Sequence, residues 1–332
     1  MASNAQPANA ADAAAQLARA AAFSSAATSL RGTGANTAAV STAFIIALVG
    51  TVSGALADPA LTEWALRFFL VALLLMVGST VMVSKLVRDS LLADHFPGEP
   101  LGVMLRGSQS SRVLFWAIAV ISVTLPPYAL LSVADDKSAE STRFLLLGLA
   151  YLFTATLNLA KSSRDGFDAT FFERSFGAAP SAADLRALTA IASGTTVFKT
   201  LNTITTAVAF ITAIGGVWSN TALARERQAL FTVGLIFASY GAMQVSKLVR
   251  DYTDKAASKP RAAYAAATWA GFAVALGGHG AAIVLMPVTD AQRRYFALSS
   301  LFVLSSVLAL SKLLRDDQER EEKAKAKAAH NE

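Results

Sequence analysis

Eight stretches of this chain contain no Asp, Glu, Lys or Arg: 32–57, 68–84, 113–134, 144–160, 200–224, 228–246, 262–289 and 295–311. A helix that crosses a bilayer needs about 20 mainly apolar residues, with a range of roughly 17–25. The shortest stretches have 17 residues, and flanking Arg and Lys extend them by snorkelling. Soluble buried helices of such length would carry polar faces, and these do not. Charged residues make up 16% of the chain, against about 25% in an ordinary soluble domain. The sequence therefore predicts an all-α polytopic membrane protein with eight transmembrane helices.

A motif closes each even-numbered stretch. It reads Ser84-Lys85-Leu86-Val87-Arg88-Asp89, Ala160-Lys161-Ser162-Ser163-Arg164-Asp165, Ser246-Lys247-Leu248-Val249-Arg250-Asp251 and Ser311-Lys312-Leu313-Leu314-Arg315-Asp316. Eighteen residues before each lysine stand Arg67, Arg143, Ala229 and Arg294, and the three arginines are followed by Phe68, Phe144 and Tyr295. Eighteen helical residues span about 27 Å, close to the hydrocarbon thickness. Each even helix is thus bracketed by an arginine and an aromatic at one face and by Lys-x-x-Arg-Asp at the other.

A longer period lies over this one. Asn36-Thr37, Phe44 and Gly50 align without a gap on Asn202-Thr203, Phe210 and Gly216, and Trp116 aligns on Trp269. The pattern predicts four two-helix repeats arranged as two pseudo-repeated four-helix halves, 36–165 and 193–316. A cytoplasmic N-terminal segment covers 1–35, a linker with a short amphipathic helix covers 166–192, and a charged tail covers 317–332. Ser181-x-x-Asp184 after Pro180 has the form of a capping box. The Ala-rich segments before each half read equally as helices on the membrane surface or as soluble linker helices.

Charge sidedness orients the chain. With all four motifs on one face, that face holds 22 Lys and Arg, while the other holds 7, balanced by 7 acids. The whole net charge of +6 then belongs to the motif face, which the positive-inside rule places in the cytoplasm with both termini. This accounts for the charge without nucleic acid. The membrane expected is a bacterial inner membrane. An organellar inner membrane is the alternative, from the Ala/Ser-rich start with Arg19 and Arg31.

The paired helices, with an aromatic opening the second and Lys-x-x-Arg-Asp closing it, resemble the YiaA/YiaB two-helix domain of small bacterial inner-membrane proteins. Lys85, Arg88 and Asp89 match that family's closing motif, as do Lys161, Arg164 and Asp165. So do Lys247, Arg250 and Asp251, and Lys312, Arg315 and Asp316. Serine or alanine replaces the family's glutamine before the lysine, and its opening lysine-glycine is not kept. The resemblance implies four tandem copies in an inner membrane and carries no biochemical activity with it.

Those twelve residues have two readings. In one they are solvated helix-end anchors, cations near a C-terminal dipole at headgroup level. In the other they form a ring of four clusters that contacts anionic lipid heads or a partner. Gly50-x-x-x-Gly54, Gly216 and Gly278 are expected to permit close helix packing. His279, the one histidine in an apolar stretch, is expected to pack with a hydrogen bond, since a metal or haem site would need partners that are missing. Pro126-Pro127 is expected to end or kink its helix. Thr200, Asn202, Thr203, Thr205 and Thr206, with Asn158, read as interhelical hydrogen bonding or as a polar lining.

No catalytic residue, metal site or cofactor is expected. The chain has no cysteine, and no phosphate loop or zinc spacing appears. Its apolar stretches lack the carboxylates of ion-coupled transporters. The sequence favours a non-catalytic structural or accessory subunit, as a homo-oligomer or within a larger membrane complex, contacting the bilayer and anionic lipid through its basic face. The alternative is a channel or facilitator for a small neutral solute. An enzyme acting through Asp135-Asp136 comes third, because that pair reads as a solvated hairpin.

Overall fold

Charge-free runs of 17 residues or more leave the backbone one way to satisfy its polar groups in lipid, the α-helix. In the computed structural model, residues 6–31, 34–58, 61–95, 109–133, 139–176, 181, 184–185, 188, 196–253 and 260–331 are described. They form helices α1 (Gln6–Arg31), α2 (Gly34–Leu56), α3 (Glu63–His95), α4 (Gln109–Val133), α5 (Ala139–Phe176), α6 (Thr196–Trp218), α7 (Arg225–Thr253), α8 (Ala262–Val284) and α9 (Asp290–Asn331). No strand occurs among the described residues.

Seven of these helices, α2, α3 and α5–α9, are long and apolar enough to cross a membrane. The remaining stretch, 113–134, falls on α4, whose apolar segment is the shorter Trp116–Tyr128. Prolines 126 and 127 were expected to end or kink this helix. The helix does not end there but runs on to Val133. Pro126 is buried, and tertiary packing holds the backbone helical where two N–H donors are missing.

The helix pairings correspond between the two halves. α2 packs on α5 as α6 packs on α9, α3 on α4 as α7 on α8, and α3 on α5 as α7 on α9. The halves meet where α5 lies against α9, with α2 on α9 matched by α6 on α5. α5 and α9 are accordingly the most buried spans and α8 the least. One core runs through this centre, from Phe69, Leu73 and Met76 through Leu145 and Leu152 to Phe231, Phe296 and Val303.

At the middle, the rings of Tyr151 and Phe302 stack with centroids 5.2 Å apart and planes 24° apart. Each follows by seven residues the aromatic that opens its helix, Phe144 or Tyr295. Those opening aromatics fill equivalent notches as well. The ring of Phe144 occupies the space of a Cβ on Gly54, and the ring of Tyr295 that of a Cβ on Gly216. Thr51 fills the same space at Gly148, having donated its hydroxyl to Ala47 O at 2.7 Å. Gly50 lies against Leu298. Gly50, Gly54 and Gly216 are thus positions where a neighbouring side chain approaches the helix backbone closely. Nothing among the described residues lies within 4 Å of a Cβ on Gly278, because that side of α8 faces away from α7 and α9.

α3, α5, α7 and α9 run 29–42 residues, whereas α2, α4, α6 and α8 run 23–25. At about 1.5 Å per residue the 38 residues of α5 reach about 57 Å, well beyond a hydrocarbon core of about 30 Å. α5 therefore continues to Phe176 through the first part of the 166–192 segment that was expected to be a linker. It does so because Ala169 and Phe172 on that extension bury against Phe23, Ala27 and Leu30 of α1 and against Leu188. The rings of Phe23 and Phe172 lie 6.4 Å apart. α1 is thus held on the protein by an apolar cluster. The capping box forms as anticipated: Ser181 N donates to Asp184 Oδ2 at 2.8 Å and Asp184 N to Ser181 Oγ at 3.1 Å.

Candidate functional site

Where α3 and α5 meet at their motif ends, the first two motifs interlock. Arg88 of α3 pairs with Asp165 at 2.9 Å and Asp168 at 3.0 Å, both on α5. Three residues apart on a helix, those carboxylates share a face. Arg164 of α5 reaches back to Asp89 of α3, and lies 3.5 Å from Asp168. Lys161 pairs with Asp165 one turn on, and its ammonium lies 5.5 Å from the centre of the Phe198 ring of α6. Each motif thus gives its arginine to the other's aspartate.

The cluster is enclosed. Arg88 is 7% exposed, Asp165 2% and Asp168 3%. The expectation of solvated helix-end cations does not hold for Arg88, whose guanidinium is covered once α3 and α5 come together. Lys85 remains exposed. In the second half Lys247 is exposed and Lys312 and Asp251 are half-buried, while the side chains of Arg250, Arg315 and Asp316 lie outside the described residues. Asp168 was missed in the sequence because it follows the motif. Its signal was an acid three residues after Asp165, on the same helical face despite Gly166 between them.

Above the cluster, between α3, α4, α5 and α6, lies a cavity of about 350 Å³. Val83, Val87, Trp116, Val123, Leu157 and Phe198 line it, and Arg88, Lys161 and Arg164 form its charged end. Thr80 and Thr124, also in the lining, donate their hydroxyls to the backbone of their own helices, to Met76 O at 2.7 Å and Ile121 O at 2.9 Å. Trp116 and Val120 line the cavity and are also 48% and 62% exposed on the outside of α4, so the cavity opens sideways.

The opposite end of the bundle is polar. Arg143, Thr212, Ser219, Asn220, Gln292 and Tyr295 line a cavity of about 540 Å³ there. Tyr295 Oη donates to Thr212 O at 2.9 Å across it, and Asn220 Nδ2 donates to Gln292 Oε1 at 3.3 Å. Arg143 stands beside Tyr295 at this end, and Lys161 meets Phe198 at the other. α5 and α9 therefore run parallel, with their motifs at one end. The Gln228 amide of α7 bonds Val217 O at 3.2 Å at the polar end, which orients α7 in the same way.

His279 is 3% exposed, packs on the Phe231 ring and shares a 2.8 Å hydrogen bond with Ser300 Oγ of α9. This is the packing role anticipated for it. On α6, Thr203 is exposed and bonds Lys199 O, whereas Thr206 is buried and bonds Asn202 O and Ser306 O. The hydroxyl-rich turn thus points Asn202 and Thr206 at α9 and Thr200 and Thr203 outward. Asp135-Asp136 lies outside the described residues, and no cluster of metal-ligating side chains occurs among those described.

A chain whose described residues form seven helices long and apolar enough to span a bilayer is an integral membrane protein. Residues 264–316, covering most of α8 and the first part of α9, match the family model of the yiaA/B two helix domain. The match covers the last of the four two-helix units read in the sequence. Comparison with curated proteins and with solved structures gives no match.

Proposed function

We propose that this protein is a non-catalytic structural or accessory subunit of a membrane assembly, built from four yiaA/B-like two-helix units with α4 as the eighth span. The observation that carries this reading is the use made of interior polar groups. Arg88, Asp165, Asp168, His279, Ser300 and Thr206 hold one helix to another, as a rigid scaffold requires. The exposed cations of the motif end, Lys85 and Lys247 among them, suit anionic lipid heads or an acidic partner on a cytoplasmic face.

The experiment is gentle extraction from native membranes, native sizing and mass spectrometry of what co-migrates. Stoichiometric migration with a larger complex is the expected result. Migration as a monomer overturns the accessory role. A facilitator for a small neutral solute is the second reading, supported by the polar cavity at Arg143 and Tyr295 and by the inward Asn202 and Thr206. Flux in liposomes that falls in T206V separates it from the first.

A further inference from the structure

Between α3, α4, α5 and α6 the bundle leaves an apolar cavity with one charged end. Protein interiors leave few voids larger than a water, and a water occupies about 30 Å³ of liquid. A space of about 350 Å³ lies within the size range of ligand sites, about 300–1,000 Å³. Its walls are unsuited to water. Thr80 and Thr124 spend their hydroxyls on their own helices, and Val83, Val87, Val123, Leu157 and Phe198 supply the rest. Its mouth passes Trp116 and Val120 on the outer face of α4, the side on which the bilayer lies.

The two ends of the cavity differ. One is hydrocarbon-like and reached from the side. The other holds Arg88, Lys161 and Arg164, with Lys85 and Lys199 each next in sequence to a lining residue, Ser84 and Phe198. Asp89, Asp165 and Asp168, the partners of these lining cations, are not among the lining residues, so at this end cations and no carboxylate face the cavity. Basic pockets between membrane helices at headgroup depth select acidic phospholipids. We propose that this cavity binds one anionic phospholipid, with an acyl chain between α3, α4, α5 and α6 and the phosphate at Lys161 and Arg164. The proposal rests on the lipid-contacting part of the reading above and assigns it to one site, in the first half and closed by α6 of the second.

The test uses the full chain in mixed micelles, with native mass spectrometry after titration of phosphatidylglycerol or phosphatidylcholine. The expected result is one tightly retained phosphatidylglycerol, lost in L157W, which fills the cavity. K161Q should lower the preference over phosphatidylcholine by roughly fivefold, the effect of one cation near a membrane surface. Equal retention by wild type and L157W, or equal retention of both lipids by wild type, overturns the proposal. Should L157W not fold, V123F fills the same space from α4. Independently of any variant, phosphatidylglycerol with a photoreactive acyl chain should cross-link at Trp116, Val123 or Leu157. Labelling no stronger there than at Ile211 and Val274 on the outer surface overturns it. Loss of the lipid site would leave co-migration with a larger complex unchanged, so the two readings fail separately.

Discussion

Tyr151 and Phe302 occupy the same position in their respective halves, and their rings stack on each other at 5.2 Å where α5 crosses α9. Both are buried. Each follows by seven residues the aromatic that opens its helix, and corresponding helix pairings lie on either side of the contact. An aromatic pair contributes about 0.5–1.5 kcal/mol beyond its buried area. A double-mutant cycle of Y151L and F302L, read from unfolding in mixed micelles, should give a coupling of about 1 kcal/mol. Additive losses would mean that the rings do not interact.

Gly54 and Gly216 each face an aromatic ring where a Cβ would stand. G54V and G216V should each destabilise the protein by about 1–3 kcal/mol, as overpacking does. G278V, with open space at its Cβ, should leave thermal stability within experimental error. Equal effects at all three positions would contradict the packing described.

The Arg88 cluster is a buried charge network, and its energetics are asymmetric. Removing one partner leaves uncompensated charge, at a cost of about 3–5 kcal/mol, whereas removing all partners together is often close to neutral. R88M should therefore be strongly destabilising, and R88M/D168N, which leaves Lys161 paired with Asp165 and Arg164 with Asp89, should recover much of the loss. A double variant as unstable as the sum of its parts would show that the two residues act alone.

The absence of cysteine makes the orientation testable directly. Ser219 lies in the exposed turn after α6, and Ser163 is exposed on α5 within the motif, so S219C and S163C report on the two ends. With the motif face in the cytoplasm, an impermeant maleimide added to intact cells should label S219C at once and S163C only after permeabilisation. The reverse order would invert the chain.

His279 and Ser300 link α8 to α9 through a single hydrogen bond. Such a bond contributes about 1 kcal/mol, and a buried group left unpaired costs about 1–3 kcal/mol. S300A should therefore lower stability by about 1–3 kcal/mol. H279F, which keeps an aromatic ring against Phe231 and removes the need for a partner, should be milder.

What could be read in advance follows from the range of each signal. The spans were legible because charge exclusion acts residue by residue along 68–84 or 295–311. The Ser181–Asp184 cap was legible because it closes within one turn. Lys85 and Arg88 sit three residues apart in one motif, yet one is exposed and the other buried. That difference is set by α5 packing alongside, and no local pattern in α3 encodes it. Asp168, Ser300 and the partner of Gly54 were hidden for the same reason, since each acquires its role from a helix remote in sequence. That α4 continues past Pro126 and Pro127 was not legible, because proline rules describe an isolated helix.

α5 is a single unbroken rod from Tyr151, through Asp165 and Asp168, to Phe172. One point along it packs on Phe302 of α9, the next is ion-paired to α3, and the last packs on Phe23 of α1. With no helix break between these three points, one element spaces α1, the charged cluster and the centre of the bundle at fixed distances from one another.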